Sequence, residues 1–268
     1  MEAVRYPAVA GRFYPGDPNV LLRDLKSYSV AAQPTPALGC IVPHAGYMYS
    51  GPVAGAVFSE IEIPERCIVL CPNHTGRGVP LSIMSTGEWL TPLGAVPVDS
   101  KLAESLKHQY PFLQEDHEAH RSEHAIEVEL PFLLEKRPKI RFVPIALGTS
   151  NFDALEKLGE ALATVIRKEK APVLIVASSD MNHYENDHIT RIKDHKAIDR
   201  ILELDARGLF DVVTREPVSM CGFGPSVAML TAAKQLGATS AKLIKYATSG
   251  DVSGDRDMVV GYAGIAVR

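Results

Sequence analysis

The common signatures of catalysis are missing from this sequence. It has no HExxH, no GxxxxGK[ST], no GxGxxG, no GxSxG and no pair of CxxC motifs. That removes the usual grounds for a zincin, a phosphate-loop nucleotidase, a dinucleotide enzyme, an α/β-hydrolase or a zinc ribbon. An excess of either charge is missing as well, with 28 Lys and Arg against 32 Asp and Glu. A net charge of -4 over 268 residues offers no basic face, so nucleic acid is not an expected partner. No apolar run approaches the ~20 residues that a bilayer span requires, and no membrane association is expected. The opening residues, MEAVRYPAVAGRFYPGD, lack the apolar core of a signal peptide, so the expected location is the cytoplasm. Cysteine is sparse, with four residues at 40, 67, 71 and 221. Three lie in or beside apolar runs, where a reduced thiol acts as a small hydrophobe rather than half of a disulfide. The single Trp89 reads as a packing residue.

What the chain does contain is a repeated device. The apolar run Leu38–Val42 stops at Pro43 and delivers His44 into a Gly46 turn; CIVLCPNHTG places His74 just beyond Cys67–Cys71; VLIVASSDMNH places Asp180 and His183 just beyond Val173–Ala177. Continuous apolar runs of this length predict strands buried on both faces, and the carboxyl ends of such strands are where open α/β sheets hold their ligands. Helices are expected over 17–29, with Asp17 as cap and Pro18 in the first turn, and over 52–61, 99–110, 151–170, 188–206 and 225–236. Another is expected from a Ser122 cap through AIEVELPFLLEKRP, interrupted before Pro131. Residues 81–98 read as a hairpin turning at Gly87-Glu88, and 140–147, AKLIKYATS and VVGYAGIAV as further strands. The alternation predicts an α/β fold: one domain over residues 1–268, with a mixed, mostly parallel sheet between helical layers.

Two imidazoles from adjacent strand ends, His44 and His74, can share one metal ion, or each can simply hydrogen-bond within its loop. Cys221 sits in a Gly-flanked loop at the start of a helix, where the helix dipole favours thiolate. It can serve as a third ligand, as a nucleophile, or as a structural cysteine. Asp180 and His183 can act as base, proton shuttle or orienting neighbour, or cap the segment that follows. His117, His120 and His124 are spaced along one helical face; His124 is expected to point inward, and the other two to face solvent. Tyr47 and Tyr49 either touch a substrate oxygen or pack.

Six motifs in order, AGRFYPGD, PHAGYMYSGPVA, CPNH, SEHAIEVELPF, SSDMNHY and MCGFGP, resemble the Memo family, whose archaeal and bacterial members are called AmmeMemoRadiSam system protein B. The resemblance runs from about residue 6 to the C-terminus. It implies a fold like that of LigB-type class III extradiol dioxygenases, which use non-haem iron. By motif it implies that His44, His74 and Cys221 are metal ligands, with His124, Asp180 and His183 lining the same cleft and serving as catalytic groups. Iron or copper is the implied cofactor. LigB-type enzymes carry a carboxylate where Cys221 stands, so ring cleavage is not implied with it. Three functions follow as expectations: a metal-dependent redox enzyme, a metal-free hydrolase with Cys221 as nucleophile, or a non-catalytic protein whose cleft holds a peptide or small anion. The family name further implies a pathway link to a radical-SAM protein.

Overall fold

A computed structural model describes residues 3–268. The strands are β1 (Val4–Arg5), β2 (Gly39–Val42), β3 (Arg66–Pro72), β4 (Leu81–Ile83), β5 (Glu88–Thr91), β6 (Gly94–Pro97), β7 (Gln114–Glu115), β8 (Arg141–Leu147), β9 (Leu174–Ser178), β10 (His183–Glu185), β11 (Ala241–Thr248) and β12 (Val259–Val267). The helices are α1 (Pro18–Tyr28), α2 (Tyr47–Glu60), α3 (Ser100–Gln109), α4 (Glu118–Arg121), α5 (Leu130–Lys136), α6 (Phe152–Ile166), α7 (Asp187–Leu202), α8 (Ala206–Arg215), α9 (Phe223–Gln235) and α10 (Gly250–Ser253).

Every residue of β2, β3 and β9 is buried. Strands of that kind must be covered on both faces, and they form the parallel centre of the main sheet in the order β2-β9-β3-β8. Antiparallel wings flank it. On one side β12 pairs with β2 and carries β10 and β11; on the other, β4 pairs with β8 and β7 lies beyond it. A second, small sheet joins β1, β5 and β6.

Because side chains alternate along a strand, each central strand feeds two cores. Ile41, Ile68, Leu70, Ile145 and Ile175 meet Leu102, Leu155, Leu158 and Val227 from α3, α6 and α9. Cys40, Val42, Cys67, Val69, Cys71 and Val176 meet Leu21, Leu25, Phe58 and Phe132 from α1, α2 and α5, with Trp89 among them. The three strand cysteines are therefore small core hydrophobes with free thiols, and Trp89 is fully buried.

Three segments differ from the sequence reading. The stretch 81–98 is not one hairpin: Leu81–Ile83 pairs with Ile145–Leu147 in the main sheet, and the hairpin is β5–β6, with Thr91 opposite Gly94. The turn chemistry decides this, since Gly94 takes a φ of +131° and Thr91 Oγ1 bonds both Leu93 N and Gly94 O. Helix α2 starts at Tyr47 and carries Pro52 inside, rather than starting with it. The region expected to run as a helix from Ser122 is a series of turns until Leu130, where Pro131 sits in the first turn of α5, the position a proline tolerates. Residues Ala206–Arg215, to which the sequence reading gives no element, form α8.

Candidate metal centre

Parallel strands end on the same edge, so β2, β9 and β3 release His44, Ser178 and His74 side by side, with the β9 product between the two histidines. The start of α9 brings Cys221 from another direction. The ligand atoms of His44, His74 and Cys221 all lie within 4.8 Å of one another. The Cys221 sulfur is 3.3 Å from His44 Nε2 and 3.7 Å from the Asp180 carbonyl oxygen. His124 completes a triad of rings, 5.4 Å from His44 and 4.9 Å from His74 between centroids. A cleft of about 300 Å³ opens above them, walled by Phe13, Asp180, His183, Tyr184 and Tyr262.

Each proposed ligand imidazole has its inner nitrogen occupied. His44 Nδ1 is 2.9 Å from Ser178 Oγ, and His74 Nδ1 is 2.9 Å from Glu123 Oε1. That is how metal-binding histidines are usually held, with the remaining nitrogen free for the ion. Glu123 does more than one task. Its Oε2 accepts the His74 N–H at 2.6 Å, and its Oε1 accepts the N–H groups of His124 and Ala125. A second group of metal-capable side chains, His74, Glu123 and His124, lies equally close together. There the carboxylate already holds the neighbouring backbone and both rings, so it orients the two imidazoles rather than offering a free oxygen.

The electrostatics follow from burial. His44 is held well below the ordinary imidazole range by its burial and by the other histidines, so it stays neutral and ready to ligate. Burial lowers His124 and His183 too. Burial also works against charge on His74, but the Glu123 hydrogen bond outweighs it and the group is raised. Asp180 accepts the His44 N–H at 2.8 Å, yet burial still pushes its carboxyl up to about 7. Burial, then Asp180, pushes the Cys221 thiol up, which reverses the expectation of a dipole-favoured thiolate. Gly222, with no side chain to cap the helix, leads into α9.

The six residues read from sequence, His44, His74, Cys221, His124, Asp180 and His183, therefore converge. His183 donates from Nδ1 to Ser219 O at 2.9 Å, which leaves its Nε2 as the free nitrogen. One other reading changes and one is settled. His120 is buried against Trp89, with neither ring nitrogen partnered, and burial lowers it to about 3. Tyr47 is buried, and its hydroxyl donates to Val128 O, so it packs rather than faces the cleft. Sequence reasoning missed Glu123, Ser178 and Phe13, whose ring sits 4.8 Å from His124. Glu123 lies inside SEHAIEVELPF, but only a non-helical path through that segment turns it inward.

Gly222 is required by close approach. A Cβ there would lie 2.3 Å from Ser179 Cβ and 2.4 Å from Ser178 O, with backbone on one side. Gly222→Ala is expected to destabilise the fold by about 1–3 kcal/mol and to move Cys221 off His44. Urea denaturation measures the first effect, and a midpoint equal to the parent's would mean the loop has slack.

A family model described as Memo-like protein matches residues 5–266. A MEMO1 family protein of Methanosarcina barkeri is 43% identical, over 99% of this chain and 100% of its own. Another from Pyrobaculum arsenaticum is 42% identical over 98% of each. Among solved structures, an uncharacterized protein of Escherichia coli K12, JW3007, superposes with a TM-score of 0.51 over 84% of this chain and 98% of that one; at 15% identity it bears on the fold alone.

Proposed function

The chain belongs to the Memo family, and on that premise we propose that His44, His74 and Cys221 hold iron or copper in a redox centre that acts on a small-molecule or peptide ligand. The observation that carries this reading is the pairing of a tight N,N,S donor set with inner ring nitrogens already held by Ser178 and Glu123. A thiolate in place of a carboxylate favours the softer of the two metals. Bound there, the metal supplies one-electron chemistry. The protein's own part is to present two imidazoles whose inner nitrogens are held, to keep the ligand against the aromatic wall of Phe13, Tyr184 and Tyr262, and to move protons. Asp180, pushed up to about 7, exchanges a proton near neutrality, and His183 Nε2 is the free nitrogen at the cleft wall.

The metal-free nucleophile reading is less well supported. It needs a thiolate and a basic partner, whereas burial raises Cys221 and lowers His44. The proposal extends to a cytoplasmic role in a pathway with a radical-SAM protein, on the family name alone. Among the described residues no helix is long and apolar enough to cross a membrane.

Protein purified without an affinity tag should contain about one iron or copper per chain by elemental analysis. Loading should also be pH-dependent. Cys221 enters the site as a thiol and must release its proton to ligate. Apparent affinity should therefore rise with pH, approaching tenfold per unit between roughly pH 6 and 8, well below the thiol's raised range. A flat profile in a chelator competition would remove thiolate ligation, and absence of any metal uptake would remove the centre.

A further inference from the structure

Glu129 is wholly buried and plays no part in the centre as drawn so far. One of its oxygens, Oε1, is 2.8 Å from Ser178 Oγ; the other, Oε2, has no partner. Ser178 Oγ has two more neighbours, Ala125 O at 2.9 Å and His44 Nδ1 at 2.9 Å. A hydroxyl has one proton to give and two lone pairs to offer. The Ala125 carbonyl can only accept, so it receives the hydroxyl proton. The other two neighbours are then left to donate. His44 does so through Nδ1–H, and Glu129 can do so only through a carboxyl proton on Oε1.

We infer that Glu129 is a neutral carboxylic acid that donates to Ser178 and, through that hydroxyl, fixes the tautomer of His44, leaving Nε2 free toward Cys221. It is a positioning residue, since it touches neither the ligand atoms nor the cleft.

The competing assignments each fail on a contact. An ionised Glu129 would need the Ser178 proton, which sets the Ala125 and Ser178 lone pairs against each other at 2.9 Å. It would also bury an unpaired charge with one oxygen unbonded, whereas a neutral acid leaves only a carbonyl oxygen unpartnered. If His44 Nδ1 instead accepted the Ser178 proton, its own proton would sit on Nε2 and block ligation. Burial, with Asp180 adding to it, pushes the Glu129 carboxyl well above the usual range against the pull of the Ser178 bond. The assignment has a use as well. Glu123 already carries negative charge beside His74, and Cys221 would add a second on ligation; a neutral Glu129 spares the site a third buried anion.

The protonation claim stands on the apoprotein; the effect on metal rests on the centre proposed above. An infrared difference spectrum between parent apoprotein and Glu129→Gln at neutral pH should show a protonated carboxyl C=O band in the parent that the variant lacks. An ionised carboxylate band at that position overturns the inference. Copper or iron titration then reads the positioning. Glu129→Gln, whose amide still donates to Ser178, should hold metal within about twofold of the parent. Glu129→Ala should lose about 10–100-fold, as the loss of outer partners does elsewhere. Equal losses in Gln and Ala overturn the role as donor. If the parent binds no metal, the centre fails while the infrared band still decides the state of Glu129. Should the Ala variant not fold, the band and the Gln titration remain decisive.

Discussion

Cys221→Ser is expected to weaken metal binding by on the order of 100-fold or more, since even loss of an orienting neighbour costs about 10–100-fold. Serine keeps the size of the side chain but not the thiolate, and an alkoxide is not available near neutral pH. The two histidines would remain in place, because their positions depend on Ser178 and Glu123 rather than on the sulfur. Residual affinity would thus report a two-nitrogen site. Cys221→Asp offers a sharper comparison. It returns a carboxylate to this position, and the order of preference among metals should move toward harder ions. Competition with a chromophoric chelator measures both variants. Full-strength binding in the serine variant would show that the sulfur is a bystander 3.3 Å from His44.

The strands of the central sheet were legible because burial on both faces writes itself as continuous apolar runs, with β-branched residues such as Ile41, Val42, Ile68 and Val69 in alternating directions. Parallel pairing then brought the residues after each run to one edge, which is why His44, His74 and Asp180 were recognisable before any geometry. Cys221 was legible by its glycines, but its acidity was misjudged. A dipole argument looks along the helix, whereas the sulfur's surroundings are set by β9 and the Asp180 backbone, which bury it. The least legible part was the segment 122–134. Its apolar spacing fits a helix, yet Glu123, Glu127 and Glu129 all turn inward to bond groups far away in sequence. Nothing local distinguishes a glutamate that faces water from one that anchors a distant strand. His120 failed for the same reason: its acidic neighbours suggested solvent, and its backbone carbonyl is in fact held by Arg5.

Glu127 is where this buried network bears most on stability. Its carboxylate accepts four hydrogen bonds from the N-terminal segment: Arg5 Nη1 at 2.6 Å, Ala8 N at 2.8 Å, Val9 N at 3.0 Å and the Tyr14 hydroxyl at 2.7 Å. Glu127→Ala leaves Arg5 as a buried charge without its carboxylate, and two backbone N–H groups and a phenol without acceptors. A broken buried pair of this kind costs about 3–5 kcal/mol, and the unpaired donors add to it. The loss should reach the cleft too, because Phe13 lies next to Tyr14, packs its ring at a tilt against His124 and supplies the carbonyl that receives the Tyr47 N–H at 2.7 Å. Urea denaturation of Glu127→Ala should therefore show a drop of several kcal/mol, with accelerated proteolysis in the first 14 residues. Arg5 keeps its bonds to the His120 and Glu123 carbonyls and its place over Trp89, so Arg5→Ala alone should also be costly. Removing both should cost less than the sum of the two, because the double variant buries no unpaired charge. Strict additivity would mean that the two side chains act independently.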